Sequence, residues 1–110
     1  MKEVKAIVKK FKVNDILTHL LDAGFPNITV ATAEGTGSFK DIDPSLSTHF
    51  SITDSEVAVI CIICENGDVE NIVNIISRYG RTGNPGDGLI YVTPVEKTFR
   101  VKTGLENEEV

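Results

Sequence analysis

Residues 57–64, VAVICIIC, are an uninterrupted apolar run closed at each end by a glutamate. The run is far short of the ~18 residues a membrane span needs. Its β-branched content makes it a strand with apolar side chains on both faces. Such a strand belongs in the middle of a sheet, and both sheet faces must then be covered. That requirement governs what the rest of the chain can do.

The flanking segments supply one layer of cover. Residues 2–8, KEVKAIV, read as a first strand. VNDILTHLLDAG follows as a helix, with Asn14 as its N-cap, Ile16, Leu17, Leu20 and Leu21 on one face, and Gly24 as its stop. NITVATAE, residues 27–34, alternates as a second strand: Ile28, Val30 and Thr32 face one way, Thr29, Ala31 and Ala33 the other. The apolar run is the third strand. GDVENIVNIISRYG is a second helix with Asp68 at its N-cap, a stripe of Val69, Ile72, Val73 and Ile76, and Gly80 at its end. LIYVTPV is the fourth strand, and TFRVKTG a short strand or hairpin arm. The order β-α-β-β-α-β predicts an α+β, ferredoxin-like sandwich: an antiparallel sheet with two helices on one face, in one domain over 1–110. The other sheet face is then left for a second subunit.

Two segments are not absorbed by this frame. Residues 35–55 are rich in Gly, Ser, Thr and Asp and show no period, and a connection that long is usually functional or disordered. Residues 80–88 end in GNPGDG directly before a strand. Glycine turns expose backbone N–H groups and let a ligand approach closely, phosphates above all. The sequence has no Walker pattern. Gly35 and Gly37 form a second glycine turn, and Arg100 and Lys102, two apart on an extended segment, would point the same way. Together these suit a phosphate-bearing ligand.

Other features carry less. The net charge of −5 argues against a nucleic-acid partner. The charged start, MKEVKAIVKKF, is unlike a signal peptide, so the expected location is the cytoplasm and the chain is not membrane-inserted. Cys61 and Cys64 have redox-motif spacing, but three residues apart on a strand they face opposite ways, so buried free thiols are expected. His19 and His49 lack spaced partners, and no metal set is visible. The acidic tail, within 103–110, reads as a solvated terminus.

Residues 81–104, RTGNPGDGLIYVTPVEKTFRVKTG, resemble the C-terminal signature of the PII signal-transduction proteins, the nitrogen regulatory protein P-II family. MKEVKAIVKKFKVNDILTHLLDAGFPNITVATAEGTG is similar to the family's N-terminal half, including the G-x-G that opens its T-loop. The resemblance implies a homotrimer, a regulator with no catalytic residues. It implies adenine nucleotides bound between subunits as effectors, with no required cofactor and no metal, and a transporter or enzyme partner contacted through 35–55. Carried over by position, Thr29 and Ile63 would meet the adenine, and Gly35, Thr36, Gly37 and Ser38 would frame the nucleotide. Gly86, Asp87, Gly88 and Leu89 would form the phosphate turn, and Arg100 and Lys102 would reach the phosphates.

The chain departs from the pattern at several of these places. Leu89 replaces a phosphate-binding lysine, Ser38 an arginine, and Phe39 a glutamine that serves Mg-ATP and 2-oxoglutarate. A lysine near the start of the third strand has no counterpart at Glu56-Val57, and the tyrosine that is uridylylated is absent, Phe50 being the nearest aromatic. A charge-assisted hydrogen bond is worth about 1.5–3 kcal/mol. Two lost cations would then cost roughly a hundred- to ten-thousandfold in affinity, most for the triphosphate. ADP or AMP is therefore favoured over Mg-ATP as the effector, with ATP or a different anionic effector as the alternatives. A trimeric CutA-like protein linked to metal tolerance is the alternative on the same fold. A small phosphotransferase would need Asp87 as its base, where a turn-forming aspartate is the simpler reading.

Overall fold

The computed structural model describes residues 1–35 and 55–107, apart from the Ser55 side chain. The expected positions Thr36, Gly37, Ser38, Phe39, His49 and Phe50, with nearly all of the 35–55 segment and residues 108–110, lie outside the described residues.

The elements are β1 (Lys2–Lys9), α1 (Val13–Asp22), β2 (Ile28–Gly35), β3 (Ser55–Cys64), α2 (Val69–Gly80), β4 (Gly88–Pro94), β5 (Thr98–Phe99) and β6 (Glu106–Asn107). The first four strands form one sheet in the order β2-β3-β1-β4, antiparallel throughout. β3 is an inner strand, as its composition requires. The register sets Ala6 opposite both Ile60 and Ile90. Side chains alternate across a strand, so Val4, Ala6 and Val8 share one face with Ala58, Ile60, Ile62 and Cys64. All are buried against Ile16 and Leu20 of α1 and Ile72 and Ile76 of α2. The opposite face carries Glu3, Lys5, Ile7 and Lys9 beside Val59, Cys61 and Ile63, and no helix among the described residues covers it.

Both helices are entered through a 3-10 turn, at Lys10–Lys12 and Asn66–Asp68. These turns move the helix starts. α1 begins at Val13 with Lys12 in the cap position, so Asn14 lies inside the first turn and does not cap it. Asp68 does occupy the cap position of α2, but its side chain makes no capping bond. Leu21 is not on the buried face: Ile16 and Leu20 meet the sheet, and Leu21, one position round the helix, is 53% exposed.

The C-termini close by two different means. At α1, Gly24 takes φ +93°, Gly24 N–H donates to Leu21 O, and Phe25 N–H donates to Leu20 O. This is the paired-bond ending that a left-handed glycine permits. Gly80 works otherwise. It is the last helical residue and is buried, and a Cβ there would lie 3.1 Å from Ile16 Cδ1. Its small size lets α2 approach α1. The stop is made by Arg81, whose Nε donates to Ser77 O at 3.0 Å and Nη2 to Ser77 Oγ at 2.9 Å.

After β4 the chain crosses the sheet's end, where Val95 N–H donates to Met1 O. It then makes a hairpin, Thr98 opposite Asn107 and Phe99 opposite Glu106. The tail expected to be solvated thus folds back at Glu106 and Asn107. Residues 101–103 are the turn of that hairpin. Arg100 and Lys102 therefore do not share an extended strand, and the parity that aligned them does not apply.

Gly88 is the tightest point of the sheet: at φ +112°, a Cβ would stand 1.8 Å from Ile7 O. Gly88→Ala should destabilise the protein by on the order of 3 kcal/mol or more. Gly67→Ala, in open space without positive φ, should be neutral or stabilising by up to about 1 kcal/mol. Urea denaturation of the two variants at equal protein concentration makes the comparison.

Candidate functional site

The candidate residues fall into two groups at opposite edges of the sheet. On the β2 edge a cleft of about 550 Å³ is lined by Thr29, Cys61, Ile63, Phe99, Arg100 and Asn107, among others. Thr29 and Cys61 face each other across β2 and β3 on the helix-free side. Ile63 follows on the same face, 36% exposed. The β5–β6 hairpin makes the far wall. Arg100 N–H donates to Leu105 O and Gly104 N–H to Arg100 O at 2.7 Å, which holds the hairpin turn. Three expected residues, Thr29, Ile63 and Arg100, are thus brought together around one cleft, with a cation above a partly apolar floor. Phe99 and Asn107 were not expected there, because the hairpin return that brings Asn107 back has no periodic signal in two-residue strands. Lys102 is exposed in the same turn.

Cys61 sits in the cleft as a protonated thiol. Its Sγ donates to Glu3 Oε2 at 3.0 Å. Burial, then the Glu3 carboxylate, push the thiol up to about 11. It is half-buried rather than buried as expected, while Cys64, on the helix side, is buried. Both are free thiols, and they face opposite ways.

The glycine loop borders the other edge. Gly83, Gly86 and Gly88 all have positive φ. The Asp87 carboxylate accepts from Thr82 N at 2.8 Å, Gly83 N at 2.9 Å and Thr82 Oγ1 at 2.5 Å. Thr82 Oγ1 in turn accepts from Asn84 N at 3.1 Å. Lys9 Nζ lies 3.3 Å from Asp87 Oδ1. The Thr82 hydroxyl, then the backbone N–H groups of Thr82 and Gly83 and the Lys9 ammonium, hold the Asp87 carboxyl well below the usual carboxylate range, against an opposing effect of burial. Asp87 therefore builds the turn. A proton-accepting role would need the opposite shift. Gly86 is buried within the loop. Leu89 leaves the loop on the helix-free face opposite Ile7 and is 49% exposed.

Gly35, the last residue of β2, pairs with Ser55 and is at the same end of the sheet as Gly88. Between Thr29 and Gly88 lie two strands. Three interstrand steps of about 4.8 Å put the two edges roughly 14 Å apart. At the glycine loop, Lys9 is a residue that the sequence did not single out. Its only signal is alternation, which places it on the helix-free face after Glu3, Lys5 and Ile7. Among the described residues no cluster of three or more His, Cys, Asp or Glu could hold a metal, and no helix is long and apolar enough to cross a membrane.

Comparison with known proteins bears on the whole chain. The family described as Nitrogen regulatory protein P-II matches residues 1–105. The nitrogen regulatory protein P-II of Microchaete diplosiphon is 32% identical over 110 residues, covering 99% of this chain and 98% of its own length. That of Nostoc punctiforme is 31% identical with the same coverage. That of Azospirillum brasilense is 35% identical over 105 residues, 94% of each chain.

The loop chemistry has a pH signature. Asp87 has its folded pKa depressed, so its contribution to stability is present above the unfolded value of about 4 and is lost as pH falls through the folded value. Asp87→Asn should therefore lower stability at pH 7, and its deficit against the natural protein should shrink steadily below about pH 4. Denaturant titrations across that range test it; a deficit independent of pH would contradict the role given to the carboxylate.

Proposed function

The chain belongs to the nitrogen regulatory protein P-II family, and from that premise we propose that it is a cytoplasmic PII-type regulator assembled as a homotrimer. It binds an adenine nucleotide in the cleft between neighbouring subunits. It acts on a transporter or an enzyme through residues 35–55, and it catalyses no reaction.

The observation that carries this reading is the division of the site. Thr29, Ile63 and Arg100 line a cleft on the β2 edge, whereas the glycine loop lies at the β4 edge. One subunit cannot bring both to a single nucleotide across a four-stranded sheet. A second copy, docking its β4 edge near the first copy's β2 edge, can. The helix-free face supplies the surface for it. Leu89, Tyr91 and Ile63 are exposed there, and burial of such side chains drives association at about 25 cal/mol per Å² of apolar surface.

The ligand favoured is ADP or AMP over Mg-ATP. Leu89 places a hydrocarbon where a cation would meet the outer phosphates, and among the described residues Arg100 is the charged side chain that lines the cleft. With Asp87 engaged in the turn's own hydrogen bonds, the loop has no evident general base, which favours regulation over phosphotransfer.

Calorimetric titration with AMP, ADP and ATP, each with and without magnesium and 2-oxoglutarate, tests this directly. AMP or ADP should bind at micromolar strength, and 2-oxoglutarate should add nothing. Arg100→Ala, which deletes a charge-assisted bond of about 1.5–3 kcal/mol, should weaken binding roughly 10- to 150-fold. If no adenine nucleotide binds, the nucleotide reading fails.

A further inference from the structure

β1 outruns its neighbour. Val8 pairs with Gly88, the first residue of β4. Lys9 is one residue further on, so on that side it meets the glycine loop instead of a strand. Its side chain is only 13% exposed. An ammonium drawn that far from water is costly unless it is paired. Here Nζ donates to Thr82 Oγ1 at 3.1 Å and lies 3.3 Å from Asp87 Oδ1.

Those two partners are the residues that hold the loop. Gly83, Gly86 and Gly88 give it the freest backbone type at three points. What opposes that freedom is the bonding between Asp87 and Thr82, together with the bonds to the N–H groups of Gly83 and Asn84. Thr82 Oγ1 accepts from Lys9 and from Asn84 N and donates to Asp87, so the bonds polarise one another along a chain. The ammonium also offsets the Asp87 charge. A loop carrying an uncompensated carboxylate would repel an arriving anion.

We propose that Lys9 is a positioning residue for the glycine loop: by gripping Thr82 and Asp87 together it sets the loop's backbone before a phosphate arrives and neutralises the carboxylate the phosphate would face. The proposal rests on the nucleotide reading above and adds to it a residue that lies outside the loop. Lys9 acts through Thr82 and Asp87. With Leu89 directly after the loop, fewer charged contacts are available to offset the cost of ordering it, so affinity depends more on order already in place.

The test uses the full chain with Lys9→Met, which keeps the apolar stem and removes the charge, and Lys9→Arg, which restores it. ADP and adenosine are titrated calorimetrically, and amide exchange is followed at Thr82 and Gly83. Lys9→Met should weaken ADP at least tenfold and adenosine less than twofold. It should speed exchange of the two loop amides at least tenfold while the amides of α1 and α2 stay as they were. Lys9→Arg should recover ADP binding to within threefold. Unchanged ADP affinity in Lys9→Met, an equal loss for adenosine, or no recovery in Lys9→Arg would overturn the proposal. If the natural protein binds neither ligand, the nucleotide reading fails on its own account. The exchange data then judge the grip separately, and loop amides unmoved by Lys9→Met overturn it too.

Discussion

β1 is hydrogen-bonded along both edges, to β3 over Lys2–Lys9 and to β4 over all but its last residue. Everything else is hung on that double pairing. Because side chains alternate with a period of two, the choice of Val4, Ala6 and Val8 for one face commits Glu3, Lys5, Ile7 and Lys9 to the other. A slip of one residue would drive three charged side chains into the helix layer. The same register places Gly88 against Ile7 O, where no side chain fits, and so fixes where the glycine loop must end. The core and the loop are two results of one pairing.

The parts of this architecture legible in the sequence were those with long-range periodicity. The run 57–64 demanded an inner strand, and the stripe through Ile72 and Ile76 demanded a covered helix face; both are met. Element order then restricted the topology to few choices. What the sequence concealed was settled by contacts between elements. Gly80 reads as a helix stop, but its smallness answers to Ile16 on another helix. Leu21 reads as core, but only two α1 positions reach full burial against the sheet. The starts of both helices were obscured because a 3-10 turn has the same local composition as a first helical turn.

The site shows the same division. Thr29, Ile63 and Arg100 were legible through family resemblance and do share a cleft. The reason first given for Arg100 and Lys102, a common strand face, does not hold, because residues 101–103 form a turn. Lys9 was hidden for a different reason. A lysine near the end of a strand looks like solvated charge, and only the unequal lengths of β1 and β4 turn it toward the loop. Charge on a sheet face is informative when it is known what stands beside it.

The two cysteines follow the alternation as well, and they make the sheet's sides separately observable. Cys64 is packed on the helix side and is 4% exposed, so its thiol becomes freely open to a reagent when the helix layer lifts. Cys61 lies on the uncovered side, in contact with Glu3 and open to the cleft. Chemical access to Cys64 reports on the helix layer, and access to Cys61 reports on the state of the outer sheet face. The chain thus carries two built-in reporters, one for each face, on the strand that most needs both faces covered.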